Sequence, residues 1–325
     1  MRNRHVHTIY AALLGRSVPR PRMRRERWEM PDGDFIDVDW LAATEHAHAP
    51  LVVLFHGLEG GSGSHYAKAF SRFAARRGWR FAMPHFRGCS GEMNRLPRAY
   101  HSGDSGDIDW IMKRFREKSP GQPLFAAGVS LGGNALLKWL GEQGKAVTGW
   151  LHAAAGISAP LDLRLSGDAL GRGFNMVYTR MFLASLKKKS DSKLAQHPGA
   201  FDGPAMQRSR TLRDFDNVVT APLHGFLDTD DYWTRASARP LLAGIAVPTL
   251  VLNARDDPFV PEAALPRGAS LPAAVVTEFP AHGGHVAFVS GQFPGRLDWL
   301  PARVFGHFDA VMSAKSATGA PRPGA

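Results

Sequence analysis

The sequence is poor in cysteine and in long hydrophobic runs. Of its 325 residues only Cys89 is a cysteine, so no disulfide bond can form within one chain, and a reducing, cytoplasmic location is expected. Apolar stretches such as 50–55 fall far short of the roughly 18 residues that a membrane-spanning helix needs. The first residues do not predict a signal peptide. The hydrophobic fraction of 44% and the charged fraction of 21% are typical of a globular protein.

Acidic residues are scarce relative to basic ones, and the net charge is +11. Eight arginines and one acid lie between Arg2 and Arg27, so residues 1–27 supply +7 of this charge and predict a basic amino-terminal arm. The arm could make weak contact with a membrane surface, or it could be a solvated segment whose arginines pair with acids elsewhere. No recognition helix, zinc-finger spacing or stacking-aromatic motif accompanies it, so we expect no nucleic-acid partner.

Strand-like and helix-like segments alternate along most of the chain. Short apolar segments predict strands near 50–55, 80–85, 124–129, 248–253 and 274–279, and helical spacing is found at 66–77, 107–116 and 133–142. This order predicts an α/β protein with a mostly parallel, doubly wound sheet. Residues 28–40 predict a hairpin with its turn at Asp32-Gly33.

The interval from about 162 to 239 does not follow this alternation. Its apolar helical stretch at 176–186 and its Pro/Gly break at 198–204 predict an inserted helical lid above the sheet edge. The main domain then covers residues 28–311. Residues 312–325 are mostly small and polar and predict a disordered tail.

The strongest motif is Gly128-Val-Ser130-Leu-Gly132, between a predicted buried strand and a predicted helix. A G-x-S-x-G run in this context is typical of a nucleophile elbow, whose sharp turn needs neighbours that are nearly free of side chains. Ser130 is therefore the candidate nucleophile. The alternative is a tight strand-to-helix turn with an unreactive serine.

A serine nucleophile needs a histidine base, and the base needs an acid to orient it. Asp256 and Asp257 both follow the strand near 248–253. We favour Asp257, because an acid followed directly by proline resembles the usual acid loop of α/β-hydrolases. Asp256 would then cap the loop.

Two histidines, His282 and His285, follow the last predicted strand. We favour His285 as the base, since it precedes an apolar segment where members of that fold usually place the catalytic imidazole. The two could instead be metal ligands, but the intervening Gly-Gly disfavours a helix that would aim both at one ion. We therefore expect no metal and no cofactor.

Acyl transfer also needs N–H donors for the developing oxyanion. The candidates are the backbone N–H groups of Leu131, directly after the nucleophile, and of Leu58, in the glycine-rich loop 56–64. This loop could also be a phosphate cradle, but it lacks the Gly-Lys-Ser/Thr ending of a P-loop and the G-x-G-x-x-G spacing with a suitably placed acid of a dinucleotide-binding loop.

Several further motifs resemble the YheT-like branch of the α/β-hydrolases, which includes abhydrolase-domain lipases and yeast ethanol acyltransferases. These motifs occur in order at 5–10, 32–37, 56–66, 86–92, 100–104, 128–134, 215–226, 253–259 and 282–285. The resemblance implies a triad of Ser130, Asp257 and His285 and the hydrolysis of carboxylic esters, often with short or medium acyl chains.

The expected function is therefore that of a serine carboxylic-ester hydrolase acting through an acyl-enzyme, with a small ester as its partner and no obligate protein partner. Phe174, Met176, Met181 and Phe182 could line an apolar acyl pocket, or they could only pack the lid onto the body. Acyl transfer to an alcohol and a non-catalytic binding role on the same fold are the alternatives.

Overall fold

A computed structural model describes residues 3–42, 48–266 and 271–319, and an eight-stranded sheet organises it. The strands are β1 (Met23–Glu29), β2 (Phe35–Leu41), β3 (Leu51–Phe55), β4 (Arg80–Pro84), β5 (Leu124–Val129), β6 (Leu151–Ile157), β7 (Thr249–Leu252) and β8 (Val275–Glu278). They lie in the order β1-β2-β4-β3-β5-β6-β7-β8. The pairs β1–β2 and β2–β4 are antiparallel, and all neighbours from β4 to β8 are parallel. The predicted α/β class is confirmed.

Helices cover both faces of the sheet and form an insertion between β6 and β7. They are α1 (Arg4–Leu14), α2 (His65–Arg76), α3 (Ser105–Lys118), α4 (Leu131–Gln143), α5 (Leu163–Leu170), α6 (Met176–Gln196), α7 (Gly203–Arg208), α8 (Leu212–Phe215), α9 (Ala221–His224), α10 (Thr229–Ala236) and α11 (Trp299–Gly319). A π-helical turn (Asp216–Thr220) joins α8 to α9. In the part of the chain that the structure describes, no helix is both long and apolar enough to cross a membrane.

Alternate residues of the central strands enter two separate cores. In β3, Val53 and Phe55 join the core under α3 and α4, whereas Val52 and Leu54 join the core under α2 and α11. Successive side chains of a strand point to opposite faces, so a strand covered on both faces needs apolar residues throughout. This explains why β3 and β5 are continuously apolar in sequence.

The interpretation of residues 1–27 as a solvated arm is wrong. Residues 4–14 form α1, in which His7 and Ala11 are buried, and β1 begins at Met23 and pairs with β2 as the first strand of the predicted hairpin. The expected pairing of its arginines is found. Arg25 binds Asp39 at 2.7 Å. The arginines of β1 suggested a solvated segment in the sequence. In the structure their side chains pair with acids of the neighbouring strand β2.

The interpretation of residues 312–325 as a disordered tail is also wrong over its first part. Helix α11 continues to Gly319, and residues 320–325 lie outside the described chain. Val311 and Met312 pack against the core under α2 and α11. These contacts stabilise a part of α11 whose composition alone predicted disorder.

The six helices α5 to α10 lie between β6 and β7, where the sequence predicted the lid. They have small cores of their own. One surrounds Met206 and Phe215, and another surrounds Tyr232 and Trp233. The insertion, called the lid below, therefore packs as an ordered layer above the carboxyl ends of the parallel strands.

Candidate active site

Ser130 lies at the turn between β5 and α4, with φ of 54° and ψ of −120°. This backbone region is unfavourable for a residue with a side chain and is often found at functional sites. Its N–H donates to the carbonyl of Ile157 at 2.8 Å, which ties the turn to β6. A Cβ atom on Gly128 would lie 2.4 Å from the carbonyl oxygen of Gly132. The glycines therefore let strand and helix meet closely enough to hold the serine in this conformation.

Ser130, His285 and Asp257 form a continuous hydrogen-bonded chain. The Nε2 atom of His285 lies 3.0 Å from Ser130 Oγ, and its Nδ1 atom lies 2.9 and 3.1 Å from the two carboxylate oxygens of Asp257. The structure thus brings together the three residues that the sequence singled out.

The surroundings of Asp257 fix its carboxylate. Its side chain is fully buried, and Oδ1 accepts hydrogen bonds from the backbone N–H groups of Phe259 and Val260 at 2.8 and 3.2 Å. The Phe259 ring lies against the imidazole of His285, with 4.2 Å between the ring centroids. Backbone donors thus fix the orientation of the carboxylate, and the aromatic ring restricts the imidazole.

Asp256 has a different environment, one that fits a loop-capping residue. Its Oδ1 atom accepts from the N–H groups of Gly283 and Gly284, both at 2.9 Å, and Oδ2 lies 3.2 Å from Nδ1 of His282. Asp256 therefore holds the loop that carries His285 without contacting its imidazole.

The loop after β3 lies directly beside the serine. A Cβ atom on Gly57 would lie 3.1 Å from Cβ of Ser130, so a larger residue would crowd the serine. The Gly57 carbonyl accepts from Gly60 N–H at 2.9 Å and lies 2.8 Å from Nδ1 of His56. Since the Gly57 carbonyl and the Leu58 N–H belong to one planar peptide, these contacts also orient that N–H. Within the described chain, the N–H groups of Leu58 and Leu131 donate no hydrogen bond.

Helix α1 contacts the loop that carries His285, which sequence reasoning missed. The hydroxyl of Thr8 accepts the N–H of His285 at 3.0 Å, and His7 Nε2 lies 3.3 Å from the N–H of Val289. His5 also packs against Phe174 of the lid, with 4.5 Å between centroids. The motif at 5–10 marked this segment in sequence, but nothing local indicated its target.

A cavity opens at Ser130 and runs beneath the lid, with an empty volume of about 1250 Å³ that includes solvent at its mouth. Its apolar lining includes Leu170, Leu186, Phe215 and Leu223, all from the lid. Of the four predicted lining residues, Phe182 lies in this cavity. Phe174 and Met181 are exposed instead, and Met176 borders a separate surface depression.

A charged contact that the sequence did not reveal joins the lid to the loop after β3. Lys189 of α6 binds Glu59 at 2.8 Å, and Glu59 also accepts a hydrogen bond from the hydroxyl of Tyr100 at 2.8 Å. Both Lys189 and Glu59 line the cavity. The ion pair therefore fixes α6 next to the candidate oxyanion donor Leu58.

Three histidines at or near the cavity, of which His56 is buried and His101 and His224 are partly buried, predict one contribution to the pH dependence of stability. Burial lowers the pKa of His56 to about 3, that of His224 to about 4, and that of His101 well below its ordinary value. In the unfolded chain all three imidazoles would be protonated below about pH 6.5, whereas burial keeps them neutral in the folded protein. As the pH falls from about 6.5 towards 4, the unfolded state therefore binds more protons than the folded state. We expect the free energy of unfolding to fall by roughly 4 kcal/mol between pH 7 and pH 5.5 from these groups.

Urea unfolding at the two pH values measures this loss. His224→Phe should remove about a third of it, because one of the three groups is then missing. The same change in the free energy of unfolding between pH 7 and pH 5.5 in His224→Phe as in the parent protein would contradict the neutral state of His224.

The parallel sheet, the strained serine at the end of β5 and the histidine and acid that follow it in chain order define a class of proteins, the α/β-hydrolases. A sequence profile described as alpha/beta hydrolase fold matches residues 50–292. The chain is 38% identical to YheT of Escherichia coli K12, a candidate esterase, over 97% of this chain and 92% of YheT. It is 31% identical to the phospholipase ABHD3 of Mus musculus, over 91% of this chain and 73% of that protein.

The Pyrococcus furiosus esterase Pf2001 shares the fold, with a TM-score of 0.58 at 14% identity, covering 90% of this chain and 91% of that one. The chain belongs to the α/β-hydrolase family, in the branch that contains YheT, as its motifs predicted.

Proposed function

We propose that the protein is a serine carboxylic-ester hydrolase. The observation that carries the proposal is the hydrogen-bonded chain from Ser130 Oγ through His285 to the buried carboxylate of Asp257. The naming of YheT as a candidate esterase and of ABHD3 as a phospholipase supports ester hydrolysis.

In the proposed reaction Ser130 attacks the ester carbonyl while His285 accepts its proton. Asp257 holds the imidazole in the required tautomer and stabilises the imidazolium that forms. The N–H groups of Leu58 and Leu131 bind the developing oxyanion, which collapses to expel the alcohol, and His285 protonates this alcohol as it leaves. Water, deprotonated by His285, then cleaves the acyl-enzyme and releases the acid.

The substrate we propose is an ester whose acyl chain enters the cavity under the lid. The apolar lid residues would exclude water from such a chain and contribute about 0.8 kcal/mol for each buried methylene group. We propose acyl chains of short to medium length, as the resemblance of the motifs to the YheT-like branch implies.

Labelling with a fluorophosphonate tests the nucleophile. We expect one covalent label at Ser130, because the reagent requires a serine activated by its base. Intact-mass and peptide mass spectrometry would locate it, and p-nitrophenyl butyrate hydrolysis would follow activity. Ser130→Ala should lose both. Ser192→Ala is the control, since Ser192 is an exposed serine of the lid that lies outside the triad and does not line the cavity, and this variant should keep both. Label or activity retained in Ser130→Ala would reject the proposal.

A further inference from the structure

The cavity that opens at Ser130 is largely apolar, yet it contains polar side-chain atoms without partners. Asn94 Oδ1, Ser166 Oγ and His224 Nε2 are buried and accept or donate no hydrogen bond within the described chain, and all three residues line this cavity. Folded proteins rarely keep such atoms unpaired, because each loses its hydrogen bonds to water without a replacement. Three such residues around one cavity point to an occupant that supplies the partners.

Asn94 restricts the chemistry of that occupant. Its Nδ2 atom donates to the carboxylate of Asp34 at 2.6 Å and to the carbonyl of Arg98 at 2.9 Å, which fixes the orientation of the amide. Its Oδ1 atom can therefore only accept. A carboxylate or a phosphodiester has no hydrogen to give it, whereas a hydroxyl group has one.

His224 and His101 lead to the same conclusion. Their rings lie 4.5 Å apart on the cavity wall, and burial keeps both neutral at physiological pH. A neutral pair attracts no anion. His101 Nδ1 accepts the N–H of Gly103 at 3.2 Å, so its proton is on Nε2, which has no partner within the described residues. A hydroxyl group, which both donates and accepts, suits this donor and the unpaired nitrogen of His224.

We propose that His101, His224, Ser166 and Asn94 form a subsite that recognises a free hydroxyl group on the part of the ester lying in the cavity. This inference rests on the proposed function, because it takes Ser130 as the attacking group. The hydroxyl can belong to the acyl chain or to the alcohol, and the two sources are separable by experiment.

The test compares the kcat/KM of the protein on matched pairs of esters. In the acyl arm, p-nitrophenyl hexanoate is compared with the same ester hydroxylated at the chain end. In the alcohol arm, propyl hexanoate is compared with glyceryl monohexanoate. We expect kcat/KM to favour the hydroxylated ester about tenfold or more in one arm, and that arm identifies the source of the hydroxyl group.

Variants then assign the preference to residues. Ser166→Ala and His224→Phe should each lower the ratio of the two kcat/KM values about fivefold to tenfold, mainly through the hydroxylated ester. Ser192→Ala and His197→Phe make the same chemical changes at lid positions that do not line the cavity, and should leave the ratio unchanged. KM and kcat measured separately show whether the loss lies in binding or in turnover.

Equal kcat/KM values within both pairs of esters, or a preference that survives in both variants, would overturn the subsite and leave water as the partner of these atoms. Hydrolysis of the plain esters reports on the proposed function itself. If those reactions still require Ser130 while no hydroxyl preference is seen, the subsite alone is wrong. If they do not require Ser130, the proposed function is wrong.

Discussion

Replacing Asp257 with Asn is expected to lower turnover about 10⁴-fold while the protein stays folded. The substitution keeps the size of the side chain but removes the charge that would stabilise the imidazolium of His285. It also places an amide against Nδ1 of His285, which favours the tautomer that cannot accept the serine proton. Initial rates on p-nitrophenyl butyrate give the effect, and circular dichroism monitors the fold.

Asp256→Asn is the matched control, since it makes the same change one residue earlier. An asparagine can still accept the N–H groups of Gly283 and Gly284 through Oδ1, so the loop keeps these bonds. We expect a loss in turnover of less than about tenfold, because no charge next to the imidazole is removed. A larger loss for Asp256→Asn than for Asp257→Asn would reverse the assignment of the acid.

Gly132→Ala is expected to have the second large effect, on both activity and stability. An alanine Cβ would lie 2.4 Å from the carbonyl oxygen of His56 and 2.8 Å from the carbonyl carbon of Phe55. Both are backbone atoms, so α4 or the loop after β3 must move. That movement would displace the donors at Leu58 and Leu131, and the loss of one such donor lowers turnover about 10²- to 10³-fold. Overpacking should lower the free energy of unfolding by roughly 1–3 kcal/mol.

Gly106→Ala provides the contrast for this substitution. Gly106 also lies in the first turns of a helix, α3, but no atom lies within 4 Å of the position its Cβ would take. Alanine is a better helix former than glycine, so we expect a gain of up to about 1 kcal/mol and unchanged activity. Thermal unfolding and ester hydrolysis compare the two variants. Normal activity in Gly132→Ala would show that the elbow tolerates a methyl group and that this packing does not matter for the site.

The sequence predicted the residues of the site better than it predicted their supports. Ser130, Asp257 and His285 each follow a strand and lie in a local motif, so chain order and spacing were sufficient. Thr8 lies 277 residues from its partner His285, and no local pattern reports so distant a contact. The pair of Lys189 and Glu59 was hidden for the same reason, since it joins the lid to a loop 130 residues away.

The lid shows a second limit. Met181 and Phe182 of α6 have similar composition signals, but which of them packs onto the body depends on the side of α6 that faces it. Apolar residues surround this helix without a clear stripe, so spacing could not select Phe182. The edge strand β1 was missed because its arginines resemble a solvated segment until the acids of β2 are placed beside them.

The bond between Thr8 and His285 has a consequence for the order in which the protein is completed. The ribosome adds Thr8 277 residues before its partner His285. Until then α1 has no histidine loop to hold, and Ser130 has no base. A chain that stops before this loop would therefore carry the candidate serine without its base, and the candidate site would be complete only when α1 and the histidine loop meet.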